Sequence, residues 1–311
     1  MNAARQKSYF VDEEKHFLRT LLYFDIFDYP LTVDEIARYS TAASSFSILP
    51  TLDNLVSQKI LYQFQNFYTV QNDPKLVPRR MKGNALAEKK MKTAKFFTHI
   101  VSLFPFVRAV MLSGSISKGY MDDKSDIDYF IITAENRLWL VRTALALFRR
   151  VFLFNSGKSL CTNYFIDTKN LEIKDKNIFT AIEFNTLEPM IGSSVIEDFR
   201  SANQWAVSYL PNLRFKKTVI NDKNHRIKTL FERILSFQAF DRFNLWLMNK
   251  TISYWKRRYG SELDPNDFEV AFRSTIGVSK SHPQFFQKRI LARHSLKIRE
   301  FEIQHGIDLS S

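Results

Sequence analysis

Two short clusters in this chain have the residue types and spacing to handle a polyphosphate. The first is Gly114-Ser115, at the end of the apolar run Val107–Leu112. The second is Asp126-Ile127-Asp128, after a ten-residue spacer, opening the apolar run Tyr129–Ile132. Gly114 can take backbone angles closed to other residues and lets a phosphate approach the main chain. A helix over Ser115 to Tyr120 would present free N–H groups, which attract anions. Asp126 and Asp128 are two apart, so on a strand both point to one face, with Ile127, Tyr129 and Ile131 on the other. Paired carboxylates repel unless a cation sits between them. Mg²⁺, or Mn²⁺ in its place, takes one or two carboxylates plus substrate phosphates, and a nucleoside triphosphate would complete that shell. A turn glycine followed by an acidic surface loop is the plainer reading, and Asp122, Asp123, Lys124 and Ser125 do look like loop residues. Against it, aspartate is depleted inside strands, and here two stand at the mouth of one.

The elements that would position these clusters can be read on either side. Arg108–Leu112 is β-rich and reads as a buried strand. After the second core strand, Glu135–Phe154 reads as a helix, with Leu138, Val141, Leu145 and Phe148 at helical spacing. Asn155-Ser156-Gly157-Lys158 is a turn that lacks the rest of a phosphate loop. Leu160–Asp167 is the next strand, and Asp175–Glu188 a helix that ends before Pro189.

The flanks differ from this α/β pattern. Helices over 12–24, Val33–Tyr39 and Ile48–Lys59 precede two strands, Ile60–Gln63 and Phe67–Val70. Thr32 and Glu35 have capping-box spacing. This order resembles a winged-helix domain. Its expected recognition helix carries one basic residue, Lys59, and one acid, Asp53, and no Lys or Arg lies between Leu61 and Gln71. Phosphate neutralisation needs several cations, which argues against DNA binding and for a scaffold or protein-contact role. A linking helix over 78–103 has a basic face. From Ser193 the chain reads as all helical, with apolar stripes Ile227, Leu230, Phe231, Ile234, Leu235 and Leu245, Met248, Ile252, Trp255. Lys256-Arg257-Arg258 suits a helix C-terminus, and Gly260 supplies a stop. Ser281-His282-Pro283 precedes a last basic helix to about Phe301; His282 lacks a second ligand at metal spacing and reads as structural.

Gly-Ser, a ten-residue spacer and Asp-x-Asp between apolar residues together resemble the signature of the nucleotidyltransferase superfamily related to DNA polymerase β. The similarity covers Val107 to Thr133 and extends loosely to about Gly192. It implies an α+β fold with a small mixed sheet. It also implies that Gly114 and Ser115 hold the β- and γ-phosphates and that Asp126 and Asp128 hold the metal ions. Lys118 lies in the same segment, where it reads equally as a triphosphate contact or an exposed lysine. Members usually carry a third carboxylate on a later strand, which binds a second metal or acts as general base. On Cys161–Asp167, alternation puts Cys161, Asn163, Phe165 and Asp167 on one face. Asp167 is the candidate, with Glu172 behind it; Glu183 falls on an expected helix. Asn163 stands where the acid would be expected, and an amide cannot act as a base.

The whole chain is therefore expected to divide into a winged-helix-like domain (1–75), a linking helix (76–105), a nucleotidyltransferase core (106–192) and a basic helical C-terminal domain (193–311). The implied reaction transfers a nucleoside monophosphate from a triphosphate to an acceptor hydroxyl, with Mg²⁺, and releases pyrophosphate. Asp126, Asp128 and Asp167 would be catalytic. A small molecule, a protein side chain or an RNA end would all serve as acceptor. The alternative is a catalytically degenerate nucleotide-binding protein, acting as a DNA-binding regulator or as the subunit of a partner protein.

Composition sets the outer limits. The 311 residues are 45% hydrophobic and 25% charged, as in soluble globular proteins. No uncharged apolar run is long enough to span a membrane, and the first residues lack the apolar core of a signal peptide. With Cys161 as the single cysteine there is no disulfide within the chain and no thiolate cluster; it reads as a small buried apolar residue rather than a nucleophile. A cytoplasmic protein is the expectation. The net charge of +13 sits mainly in residues 211–311, which hold 19 basic and 10 acidic residues. Such a surface attracts nucleotides, nucleic acid or anionic membranes.

Overall fold

The computed structural model describes residues 12–41, 48–216, 226–281 and 286–309. The readings made on the first residues and on His282 and Pro283 lie outside them. The chain opens with α1 (Asp12–Asp25), β1 (Leu31–Thr32), α2 (Val33–Tyr39), α3 (Ile48–Ser57), β2 (Tyr62–Phe64) and β3 (Phe67–Thr69). The three strands pair antiparallel in the order β1-β3-β2. The capping box at the start of α2 is present: the Glu35 amide donates to Thr32 Oγ1 at 3.3 Å, and the Thr32 amide donates to Glu35 Oε2 at 3.0 Å. The long α4 (Leu76–Leu103) follows.

The central part comprises β4 (Val107–Ser113), the single turn α5 (Gly114–Ser117), β5 (Asp128–Thr133), α6 (Leu138–Phe152), β6 (Cys161–Asp167), α7 (Ile178–Asn185) and β7 (Glu188–Ile191). Then come α8 (Ser193–Ala202), α9 (Trp205–Tyr209), α10 (Arg226–Ile234), α11 (Gln238–Tyr259), α12 (Pro265–Ala271), β8 (Ser274–Thr275), β9 (Val278–Lys280) and α13 (Phe286–His305). The class is α+β, around a six-stranded mixed sheet of order β7-β4-β5-β6-β9-β8, in which only β5 and β6 run parallel.

The sheet separates two apolar layers, because alternate residues of each strand point to opposite faces. Tyr129, Ile131 and Phe165 pack with Trp139 of α6, Phe97 of α4 and Trp255 of α11. Phe130, Ile132 and Ile166 pack with Phe184 of α7 and Phe199 of α8, and this layer continues into the cores of α1, α2 and α3. Helix α13 returns to the start of the chain, where Lys297 pairs with the buried Asp25 and His294 Nε2 lies 3.2 Å from the Arg19 carbonyl. Among the described residues no helix is long and apolar enough to cross a membrane.

Three expectations are corrected. The helix expected to run to Glu188 stops at Asn185, and Pro189 lies within β7, opposite Met111. A sheet-edge strand tolerates a proline because one side of its backbone has no ladder partner. The chain beyond Ser193 is not all helical: β8 and β9 extend the sheet past β6, and two or three residues are too few to show a strand period. The stripe on α10 is not a core stripe, since Ile227, Leu230, Phe231 and Ile234 are exposed and only Leu235 packs inward.

Candidate active site

Strand β4 ends at Ser113, whose register partner is Asp128, the first residue of β5. The chain turns at Gly114 with φ +68°, in the left-handed region that favours glycine. A Cβ on Gly114 would lie 2.5 Å from Asp128 Oδ2, so the glycine and the carboxylate face each other directly. Asp126 lies two residues before β5 rather than on it. Ile127 between them is buried in the α6-side layer, which leaves both acids on the opposite side. Two hydrogen bonds pin this approach: the Ile127 amide to the Lys158 carbonyl, and the Cys161 amide to the Ile127 carbonyl. The Gly157 turn passes beside Asp126.

Gly114, Ser115, Lys118, Asp126 and Asp128 all line one cleft of about 790 Å³. Its floor is the sheet, and its walls come from α1, α7 and α13. Helix α5 is a single turn, shorter than the expected Ser115–Tyr120. Lys118 is not a free surface lysine: its Nζ donates to the Gly114 carbonyl at 3.0 Å and to Glu183 Oε1 of α7 at 2.8 Å. The loop after it is held from the N-terminal side. Tyr29 Oη donates to the Lys118 carbonyl, Asn84 Nδ2 to the Gly119 carbonyl, and the Met121 amide to the Gly83 carbonyl.

Asn163 Nδ2 donates to Asp128 Oδ1 at 2.9 Å. A β-bulge makes this contact possible. Cys161 and Thr162 pair with Asp128 and Tyr129, but Phe130 pairs with Tyr164, so Asn163 is an extra residue in β6. From there on the faces of β6 are exchanged relative to simple alternation. Asp167 therefore does not join Asp128, which corrects the expectation made for it. It pairs with Thr133 at the far end of β5 and takes the side of Tyr129 and Ile131, the face away from Asp128. Its buried carboxylate instead accepts from the amides of Asn136, Lys169 and Asn170 and from Asn170 Nδ2, closing the turn after β6. Glu172 is also elsewhere, in ion pairs with Lys174 and Lys176. The helical acid Glu183, in the last turn of α7, does reach the cleft on the Lys118 side, and Asp28, Asp122 and Asp175 line it elsewhere. Only the position of Glu183 on an expected helix was visible beforehand.

The electrostatics follow from this packing. Burial, with Asp126 and Glu183 nearby, pushes the Asp128 carboxyl up to about 7, against the lowering effect of the Cys161 thiol and Lys118. Burial and the two aspartates push the Cys161 thiol up to about 12, which makes it a poor nucleophile.

These donors suit a hard dication. Asp126 and Asp128 offer carboxylate oxygens at one end of an open cleft, and the raised Asp128 carboxyl holds its proton up to about pH 7, where a cation would compete with it. Among the described residues no group of three or more His, Cys, Asp or Glu side chains forms a closed metal cage. Mg²⁺ does not require such a cage, since it keeps waters and substrate phosphates among its ligands.

Comparison with protein-family models, with curated proteins and with solved structures finds no match to this chain.

Proposed function

We propose that this protein transfers a nucleoside monophosphate from a nucleoside triphosphate to an acceptor hydroxyl. The observation that carries the reading is the direct approach of the Gly114 turn to Asp128, with Asp126, Ser115 and Lys118 in the same cleft. In this reading Asp126 and Asp128 hold one Mg²⁺ or Mn²⁺. When bound, that ion neutralises charge on the attacking and leaving oxygens. The Gly114 main chain and the Ser115 hydroxyl grip the β- and γ-phosphates, where a side chain at 114 would intrude. Lys118 exchanges Glu183 for a phosphate oxygen, a charge-assisted contact. The acceptor oxygen bonds to the α-phosphorus as the bond to the bridging oxygen breaks. Pyrophosphate departs with the bond pair, and the hydroxyl proton passes to water in the cleft. Asn163 orients Asp128 through its amide but cannot take that proton. The α1–α3 unit with its three short strands serves in this reading as a winged-helix-like scaffold that fixes the Lys118–Met121 loop.

A second reading keeps the nucleotide and drops the chemistry. Asn163 standing beside Asp128, where a third carboxylate would serve a transferase, favours it. One experiment separates the two. The protein is incubated with each labelled triphosphate, Mg²⁺ or Mn²⁺ and cell extract, beside Asp126→Ala/Asp128→Ala. Label transfer by the wild type alone supports transfer. Metal-dependent ATP binding without transfer supports the second reading, and absence of metal-dependent binding removes both.

A further inference from the structure

The cleft has a second polar end. Asp175, between β6 and α7, accepts from Arg273 Nη2 at 2.8 Å and from Lys280 Nζ at 3.1 Å. Two cations thus share one carboxylate. Lys280 is 6% exposed, and among the described residues its ammonium finds, beyond Asp175, only Gln287 Oε1, a neutral acceptor, at 2.9 Å. Among the described residues Arg273 Nη1 finds no hydrogen-bond partner, and Arg273 itself stands off the cleft lining, behind the carboxylate it shares. A buried positive charge that shares its only counter-charge with a second cation is costly. An anion in the cleft beside Lys280 would supply the missing charge.

The placement relative to the aspartates is set by the sheet. Phe130, Tyr164 and Lys280 are register partners across β5, β6 and β9, so all three share the face that carries Asp128. Strand spacing and rise put the Lys280 backbone roughly 12 Å from that of Asp128. Between the two polar ends lie aromatic rings. Phe130 and Tyr164 pack at 4.9 Å on the floor, with Phe179 of α7 and Phe286 of α13 at 6.0 Å on the wall.

We infer that this end of the cleft binds a carboxylate or phosphate on a small molecule whose flat or apolar body lies over Phe130 and Tyr164. That the molecule is the acceptor, with its hydroxyl reaching the Asp128 end, rests on the transfer reading above; the anion subsite itself does not.

The test uses ligand-observed NMR on the full chain with three probes: 4-hydroxyphenylacetate, phenyl phosphate and the neutral 4-hydroxybenzyl alcohol. An anionic probe is expected to bind at least tenfold tighter than the neutral one, and which of the two does so names the anion. Lys280→Met is expected to weaken it at least tenfold. Asp175→Asn leaves the cations without their carboxylate and is expected to tighten it severalfold, a direction that damage to the fold would not give. Binding of all three probes alike, no binding, or anion binding untouched in folded Lys280→Met overturns the inference. A parallel Mg²⁺–ATP titration of the wild type, with Asp126→Ala/Asp128→Ala as control, tests the nucleotide reading separately. If ATP fails to bind while the anion binds through Lys280, the subsite stands and its role as acceptor site falls.

Discussion

Asp128 carries a conflict that makes it measurable. Its carboxyl is raised from the ordinary range to about 7, first by burial. The folded state therefore holds that proton more tightly than the unfolded chain does. This contribution to stability is complete below about pH 4 and disappears as pH rises through about 7. Because the carboxyl is partly exposed, the effect should be about 2 kcal/mol rather than the full ~4. Thermal melts of wild type against Asp128→Asn between pH 5 and 8 should show the wild type losing ground as pH rises. Millimolar Mg²⁺ should restore it, since a dication takes the place of the proton. Asn163→Asp puts a second acid against Asp128 where an amide now donates. The variant should melt lower without metal and gain more than the wild type from Mn²⁺; equal gains would show that residue 163 does not face the cation. Gly114→Ala places a methyl against Asp128 Oδ2 at a positive φ. A loss of about 1–3 kcal/mol in stability should accompany at least tenfold weaker Mg²⁺–ATP binding by calorimetry.

At the level of elements, the long helix α4 is what registers the N-terminal unit on the Lys118–Met121 loop. Gly83 sits in its interior, and a Cβ there would lie 2.1 Å from the Tyr120 ring. Glycine to alanine inside a helix ordinarily stabilises by roughly 0.5–1 kcal/mol. Here the ring must move, and with it the Lys118–Met121 loop, so Gly83→Ala should destabilise by about 1–3 kcal/mol. A higher melting temperature would show that Tyr120 gives way freely. On the same helix, Arg80 bonds Glu35 twice and the Pro30 carbonyl once, and lies 3.7 Å over the Tyr29 ring. The sequence announced β2 to β6, the Gly114 turn and the start of α2 because each rests on local signals: apolar runs, a glycine, the capping box. It did not announce the bulge. Alternation carries no mark of an extra residue, so Asp167, late in the strand, reads on the face of Asp128 when it lies on the other, while Asn163, where an acid would be expected, is the contact. Strands β8 and β9 escaped because at two and three residues they owe their existence to the exposed edge of β6. Glu183 read as one more helical acid, because its meeting with Lys118 depends on how α7 lies across the sheet.

For the molecule as a whole, the cleft is a joint product of distant parts of the chain. Phe27 follows α1, Phe130 lies on the floor, and Phe286 begins α13. The lock between the two ends of the chain is Asp25, buried beneath Lys297 and Gln71. Asp25→Ala leaves Lys297 half-buried without its partner and should cost about 3 kcal/mol. In a chain of this size that lowers the melting temperature by several degrees. Hydrogen exchange should register it in α1 and α13 together, and protection lost in only one of them would show that the two helices are not coupled.

The extra residue in β6 also sets what length changes the strand can bear. Removing any one residue among Cys161, Thr162 and Asn163 would restore an even ladder and keep the downstream pairings, Tyr164 opposite Phe130 and Phe165 opposite Ile131, but would strip the amide from Asp128. Removing two would leave the strand one residue short of its partners. Tyr164 and Ile166 would then turn toward Trp139, and Phe165 would be driven into the cleft. Across variants of this chain, then, a lone deletion at that point should be the better tolerated of the two, and a double deletion the one that breaks the fold.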